Sequence, residues 1–207
     1  FEEVVEFVIN PDKKVSFPLY LRIPTWCPKS AVEVNGEDQK IDFVRGFIRI
    51  EKTWEPGDVV RLSLPMAIGV RSWEKNKNSV SVDYGPLSFS LKIDENYVRE
   101  GGTDEWPAWE IYPASPWNYG LVMDDLLKSL EVVKKSYPDN DMPFTHEGAP
   151  IEMRVVGKLI PEWGVDETGL VQELPMSPVV SDQPVEELTL IPMGAARLRV
   201  SSFPVVK

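Results

Sequence analysis

Trp106, Trp109 and Trp117 fall within a stretch of twelve residues, beside Asp104, Glu105 and Glu110. Sugar rings stack on aromatic faces while carboxylates accept hydrogen bonds from their hydroxyls, so this stretch carries the chemistry of a carbohydrate contact. Trp106, Trp109, Glu110 and Trp117 are therefore the candidate carbohydrate-binding residues. The competing role is structural, with the same rings filling the seam between two packed units. Trp26, Trp54, Trp73 and Trp163 are expected to pack locally.

Catalytic chemistry is harder to find. A hydrolytic triad needs an imidazole base, and the chain has one histidine, His146, in the irregular stretch Pro143 to Gly148. No Gly-x-Ser-x-Gly elbow is present, and His146 is expected to be a loop or surface residue. The lone cysteine, Cys27, ends an apolar run and is expected to be buried and inert. One Cys and one His exclude an internal disulfide and argue against a zinc site. Asp139, Asn140 and Asp141 read as a turn rather than a calcium loop. Paired carboxylates could serve glycoside hydrolysis, with Glu51 and Glu55, Asp104 and Glu105, Glu110, Asp124 and Asp125 as candidates. Among 33 acidic residues such neighbours arise by chance, and spacing alone places no two across a cleft. No catalytic or metal residue is assigned.

The net charge of −11 makes nucleic acid an improbable partner, because phosphate binding needs clustered Lys and Arg. No apolar run approaches the roughly 20 residues of a membrane-spanning helix. The chain starts at Phe1 without a leader and reads as a processed or truncated piece of something longer.

The elements that must position these residues are strands. Val15, Phe17, Leu19, Leu21 and Ile23 alternate with polar residues, and Pro18 marks that run as an edge strand or a bulge. Ala31 to Val34 leads into the hairpin signal Asn35-Gly36. Further strands follow Arg45-Gly46 and Pro56-Gly57-Asp58. Others lie around Val80 and Val82, from Leu87 to Ile93, over 151–160 and 187–191, and at Arg197 to Val200. Residues 101–120, crowded with Gly, Pro and Trp, read as a long connection. Leu121 to Lys135 is the best helical candidate, with Val122, Leu126, Leu130 and Val133 on one face, although 129–135 would also suit a strand. The expectation is an all-β protein of two antiparallel β-sandwich units with at most one short helix: residues 1–98, then 99–207 with its Trp/Pro-rich leading loop.

An ordered set of motifs adds a family resemblance. Leu21-Arg22-Ile23-Pro24-Thr25-Trp26, Val34-Asn35-Gly36, Arg49 to Trp54, Pro56-Gly57-Asp58 and Leu64-Pro65-Met66 come first. Tyr84-Gly85-Pro86-Leu87 and Tyr112 to Tyr119 follow, then Leu190 to Ala195, Leu198-Arg199-Val200 and Phe203-Pro204. Together they resemble the C-terminal region of the bacterial β-L-arabinofuranosidases, glycoside hydrolase family 127 and its relatives. The resemblance implies an N-terminal (α/α)6 barrel that carries a zinc-bound cysteine nucleophile and an acid/base Glu upstream of this chain. No position of that zinc site maps here, and Cys27 lacks the adjacent-cysteine signature. What is implied is a non-catalytic accessory region of a glycoside hydrolase acting on L-arabinofuranose-containing glycans. Its expected partner is the helical barrel, with carbohydrate as a second partner through Trp106 and Trp109. No cofactor is expected in this chain. Localisation stays open, a secreted or periplasmic parent being compatible with the resemblance.

Overall fold

The computed structural model describes residues 1–40, 42–123 and 126–207. The chain forms two compact units, Phe1–Ala67 and Ile68–Lys207. Nearly every element is a strand, as the period-two patterning dictates.

In the first unit the strands are β1 (Val4–Ile9), β2 (Val15–Arg22), β3 (Ala31–Val34), β4 (Glu37–Asp38), β5 (Phe43–Val44), β6 (Phe47–Trp54) and β7 (Asp58–Ser63). They form a four-stranded sheet, β1-β7-β3-β4, and a three-stranded sheet, β2-β6-β5, with antiparallel neighbours throughout. Leu21, Ile48, Ile50 and Trp54 from the smaller sheet join Val32, Val34, Val60 and Leu62 from the larger in one buried cluster, which makes the unit a sandwich. Trp54 is fully buried, and its Nε1 donates to the Phe17 carbonyl at 2.9 Å, so the indole brings no unpaired donor into the core. Pro18 does lie on the edge strand β2. Asn35 and Gly36 both take positive φ, 55° and 81°, as a two-residue hairpin turn of this twist requires.

The second unit contains β8 (Ile68–Trp73), β9 (Ser79–Tyr84), β10 (Leu87–Leu91), β11 (Glu95–Gly102), β12 (Pro107–Pro113), β13 (Tyr119–Val122), a single helical turn α1 (Leu126–Ser129), β14 (Glu131–Lys134), β15 (Ile151–Leu159), β16 (Val185–Pro192) and β17 (Val205–Val206). One eight-stranded sheet runs β17-β13-β15-β16-β10-β9-β8, with β14 also paired to β15. The C-terminal tail bonds to several of its strands. Leu91 donates to the Val200 carbonyl at 2.9 Å, Val80 and Phe203 exchange backbone bonds at 2.8 Å, and Leu121 donates to the Pro204 carbonyl at 2.9 Å. The tail thereby touches strands from opposite ends of the order, and Phe203 and Val206 are buried. Outside this sheet, β11 and β12 pair only with each other among the described residues.

Several expectations change. The break between units falls at Ala67/Ile68 rather than at 98/99, because β8, β9 and β10 join the sheet of β15 and β16 through β10–β16 pairing. The expected helix over 121–135 is strand β13, the turn α1 and strand β14, since 131–134 pairs along β15; Asp124 and Asp125 lie outside the described residues. Arg197 to Val200 is irregular backbone, and the strand of that tail comes later, at β17. The stretch from 101 is no loose connection but the second half of a β-hairpin.

Candidate functional site

The hairpin β11–β12 carries most of the candidate residues. Its register pairs Tyr97 with Ile111, Val98 with Glu110 and Arg99 with Trp109, and a bulge lies between Arg99 and Gly101. Side chains alternate across a strand, so Glu95, Tyr97, Arg99, Trp109 and Ile111 share one face while Asn96, Val98, Glu110 and Tyr112 share the other. The turn is fixed locally. Thr103 donates its backbone N–H to the Trp106 carbonyl at 3.1 Å, and its Oγ1 accepts the Trp106 N–H at 3.0 Å. Gly102 sits at φ +75°, where an added Cβ would lie 2.2 Å from the Trp106 carbonyl oxygen. At the base, Ala114 donates to the Asp94 carbonyl and Asp94 to Ser115 Oγ.

The tryptophans separate into two groups. Trp106, in the turn, is 75% exposed, and Trp109 is 49% exposed with its ring edge-on to Tyr97. Trp117 packs instead against Trp163, centroids 5.1 Å apart, in a buried cluster with Ile160 and Val206. Packing inside the second unit, not in a seam between units, thus describes Trp117, while Trp106 and Trp109 stay exposed. Glu110 is turned to the opposite face from Trp109, where it accepts a hydrogen bond from the Tyr112 hydroxyl and holds that phenol's pKa above its ordinary value. Of the four candidates, Trp106 and Trp109 are both exposed on the hairpin, Glu110 lies on its other face from Trp109, and Trp117 packs into the cluster around Trp163. Trp54 and Trp163 pack locally as expected, whereas Trp73 is 42% exposed beneath the Arg71 guanidinium.

The same hairpin face carries residues that spacing could not single out. The Tyr97 hydroxyl donates to Glu95 Oε2 at 2.6 Å, and Arg197 stands 3.5 Å from the same oxygen. The Glu95 carboxylate raises the Tyr97 pKa chiefly through that hydrogen bond. No short-range pattern links 95, 97 and 197, so only the fold brings them together.

The remaining carboxylate candidates sit in surface ion pairs or turns: Glu51 with Arg49, Glu55 with Lys14, and Asp104 with Arg99. Exposed pairs of this kind contribute little to stability. His146 lies in a loop with its side chain mostly buried, Nε2 3.0 Å from the Ile93 carbonyl and Nδ1 2.9 Å from Glu147 Oε1. Cys27 is fully buried, its thiol facing the Pro65 carbonyl at 3.6 Å. Among the described residues no three His, Cys, Asp or Glu side chains are grouped to hold a metal. The zinc of the resembling family therefore has no fitting ligand set among the described residues.

Residues 1–66 match the family model described as β-L-arabinofuranosidase, GH127 middle domain, a span that ends one residue before the first compact unit does. The chain resembles the GH127 β-L-arabinofuranosidases. Its fold matches the crystal structure of Ara127N-Se, a GH127 β-L-arabinofuranosidase from Geobacillus stearothermophilus T6, with TM-score 0.62 and 24% identity over 98% of this chain and 28% of that one. A glycoside hydrolase structure matches with TM-score 0.60 and 23% identity, over 100% of this chain and 31% of that one. A GH127 β-arabinofuranosidase matches with TM-score 0.61 and 18% identity, over 98% and 30%. The chain thus spans less than a third of each of these proteins. No curated protein matches.

Proposed function

We propose that this chain is a non-catalytic accessory region of a larger glycoside hydrolase that acts on L-arabinofuranose-containing glycans. Coverage supports this reading: nearly all of the chain fits less than a third of each matched protein, and its first 66 residues fit a model described as a middle domain. The chemistry then belongs to a helical barrel elsewhere in the parent, and zinc, where the parent uses it, belongs to that barrel. The two β units would cover a face of the barrel. The 207-residue chain, highly purified, is expected to release no product from aryl β-L-arabinofuranosides. Turnover that persists through purification and is lost in Glu110→Gln overturns the reading.

Carbohydrate binding is a second reading, favoured by the exposure of Trp106 and Trp109 on a hairpin with solvent on both faces. Large aromatic rings left in water at a projecting turn suit a stacking contact with a sugar. Titration with arabinan oligosaccharides should quench tryptophan fluorescence. A flat response across arabinan, xylan and galactan fragments removes this role.

A further inference from the structure

At the foot of the hairpin, on the face that carries Trp109, lies a cavity of about 440 Å3. Glu95, Tyr97 and Arg197 line one part of it and Thr145, His146 and Glu147 another. Glu95 is the unusual member. Its side chain is only 8% exposed, and Oε2 takes the Tyr97 hydroxyl and the Arg197 guanidinium, yet Oε1 is buried with no hydrogen-bond partner among the described residues. A buried carboxylate oxygen left unpaired is costly, and such an orphan in a folded protein calls for a ligand or water to complete it. Arg197 holds the site only loosely: 3.5 Å is long for a charge-assisted bond, the guanidinium lies over the Tyr97 ring at 5.8 Å, and its side chain is 51% exposed.

The charges select the ligand. Two of the lining carboxylates already face cations, Glu95 with Arg197 at 3.5 Å and Glu147 with Lys92 at 3.6 Å, and no metal ligand set exists among the described residues, so little net charge is left to draw a small ion. A neutral polyol is the class that both donates to carboxylates and accepts from a guanidinium. The volume falls in the usual range for small-molecule sites. We infer that this cavity is a sugar-binding subsite in which Glu95 Oε1 accepts a hydroxyl hydrogen bond and Arg197 donates to a neighbouring oxygen. This rests on the carbohydrate-binding reading and deepens it. Tyr97 lines the cavity and also meets Trp109 edge-on, so one glycan would run from the exposed indole to the carboxylate.

His146 is the only histidine in the chain, so its imidazole proton resonance reports on the cavity alone, while tryptophan fluorescence reports on the hairpin. The 207-residue protein is titrated with L-arabinose and with arabinan oligosaccharides, both signals being followed. The expected result is a saturable shift of the His146 resonance that weakens at least tenfold in Glu95→Gln and in Arg197→Ala. The first change is isosteric and the second removes a half-exposed side chain, so both variants should keep the wild-type fold by circular dichroism. Fluorescence quenching with an unmoved His146 signal, or with full affinity in Glu95→Gln, overturns the subsite and leaves the hairpin contact standing. No response in either signal overturns both. A His146 shift produced by sulfate or ammonium but not by sugar overturns the neutral ligand class.

Discussion

Tyr97 meets Trp109 edge-on across the β11–β12 hairpin, ring centroids 6.2 Å apart and planes at 83°. The pair is diagonal in the register, one step from the opposed Arg99 and Trp109, a spacing that long aromatic side chains can bridge. The contact holds an exposed indole in one orientation without burying it. Trp109→Ala should therefore abolish the fluorescence response to arabinan oligosaccharides. Because such a pair contributes about 0.5–1.5 kcal/mol, the thermal unfolding midpoint should fall only slightly. A large loss of global stability would show instead that Trp109 serves packing.

Gly102 fixes the turn of that hairpin. Alanine there would place its Cβ 2.2 Å from the Trp106 carbonyl oxygen and 2.6 Å from the Ala108 nitrogen, at a φ that L-residues avoid. Backbone atoms cannot step aside as a side-chain end can. Gly102→Ala is expected to cost about 1–3 kcal/mol, confined to a hairpin whose strands pair with no other. Hydrogen exchange should quicken at the Thr103 and Trp106 amides while the amides of β15 keep their protection. Loss of protection at β15 would show that the hairpin is coupled to the main sheet.

Local alternation made most strands legible, but pairing between distant segments was not. Val15 to Arg22 advertises itself through period two and a buried face, whereas Ile68–Trp73 has Gly69, Arg71 and Ser72 breaking its apolar run and is a strand because β9 pairs along its whole length. The hairpin hid its alternation, Trp109 and Ile111 against Glu110 and Tyr112, behind Gly and Pro that resemble a loop. The unit boundary depends on β10 pairing with β16, a contact between segments about a hundred residues apart, and composition does not encode it. The aromatic half of the candidate site was visible as a cluster of tryptophans. Its polar half, Glu95 with Arg197 and His146, comes from three separate segments that only the closed fold assembles.

Trp54 anchors the first unit. It is completely buried between two sheets, tilted against Phe17 at 5.8 Å and bonded to that residue's carbonyl. Trp54→Ala leaves a large cavity and an unpaired carbonyl, for a loss of about 3–5 kcal/mol. Trp54→Phe keeps most of the volume and loses only the hydrogen bond, so it should fall well short of the alanine variant. Denaturant unfolding checks both, and equal losses would place the energy in the indole N–H rather than in the packing.

Asp58 links the same unit to pH. Asn35 Nδ2 donates to its Oδ1 at 2.7 Å, the Glu55 backbone N–H donates to Oδ2 at 2.9 Å, and Lys52 Nζ lies 3.2 Å from Oδ2. These donors, Asn35 foremost, lower the carboxyl from its ordinary 3.8 to about 2. The folded pKa is the depressed one, so the unfolded chain takes up the proton first on acidification. The stabilising contribution is therefore complete above the ordinary value and disappears as pH falls toward about 2. Asp58→Asn should be less stable than wild type at neutral pH, and the gap should narrow steadily through this acid window. Other carboxylates titrate there too, Glu147 and Asp166 among those held low, so the difference between the two proteins is the quantity to follow. Parallel acid-unfolding curves would remove Asp58 as the linked group, while a narrowing gap that persists in Asn35→Ala would move the cause from the Asn35 amide to the Glu55 N–H and Lys52.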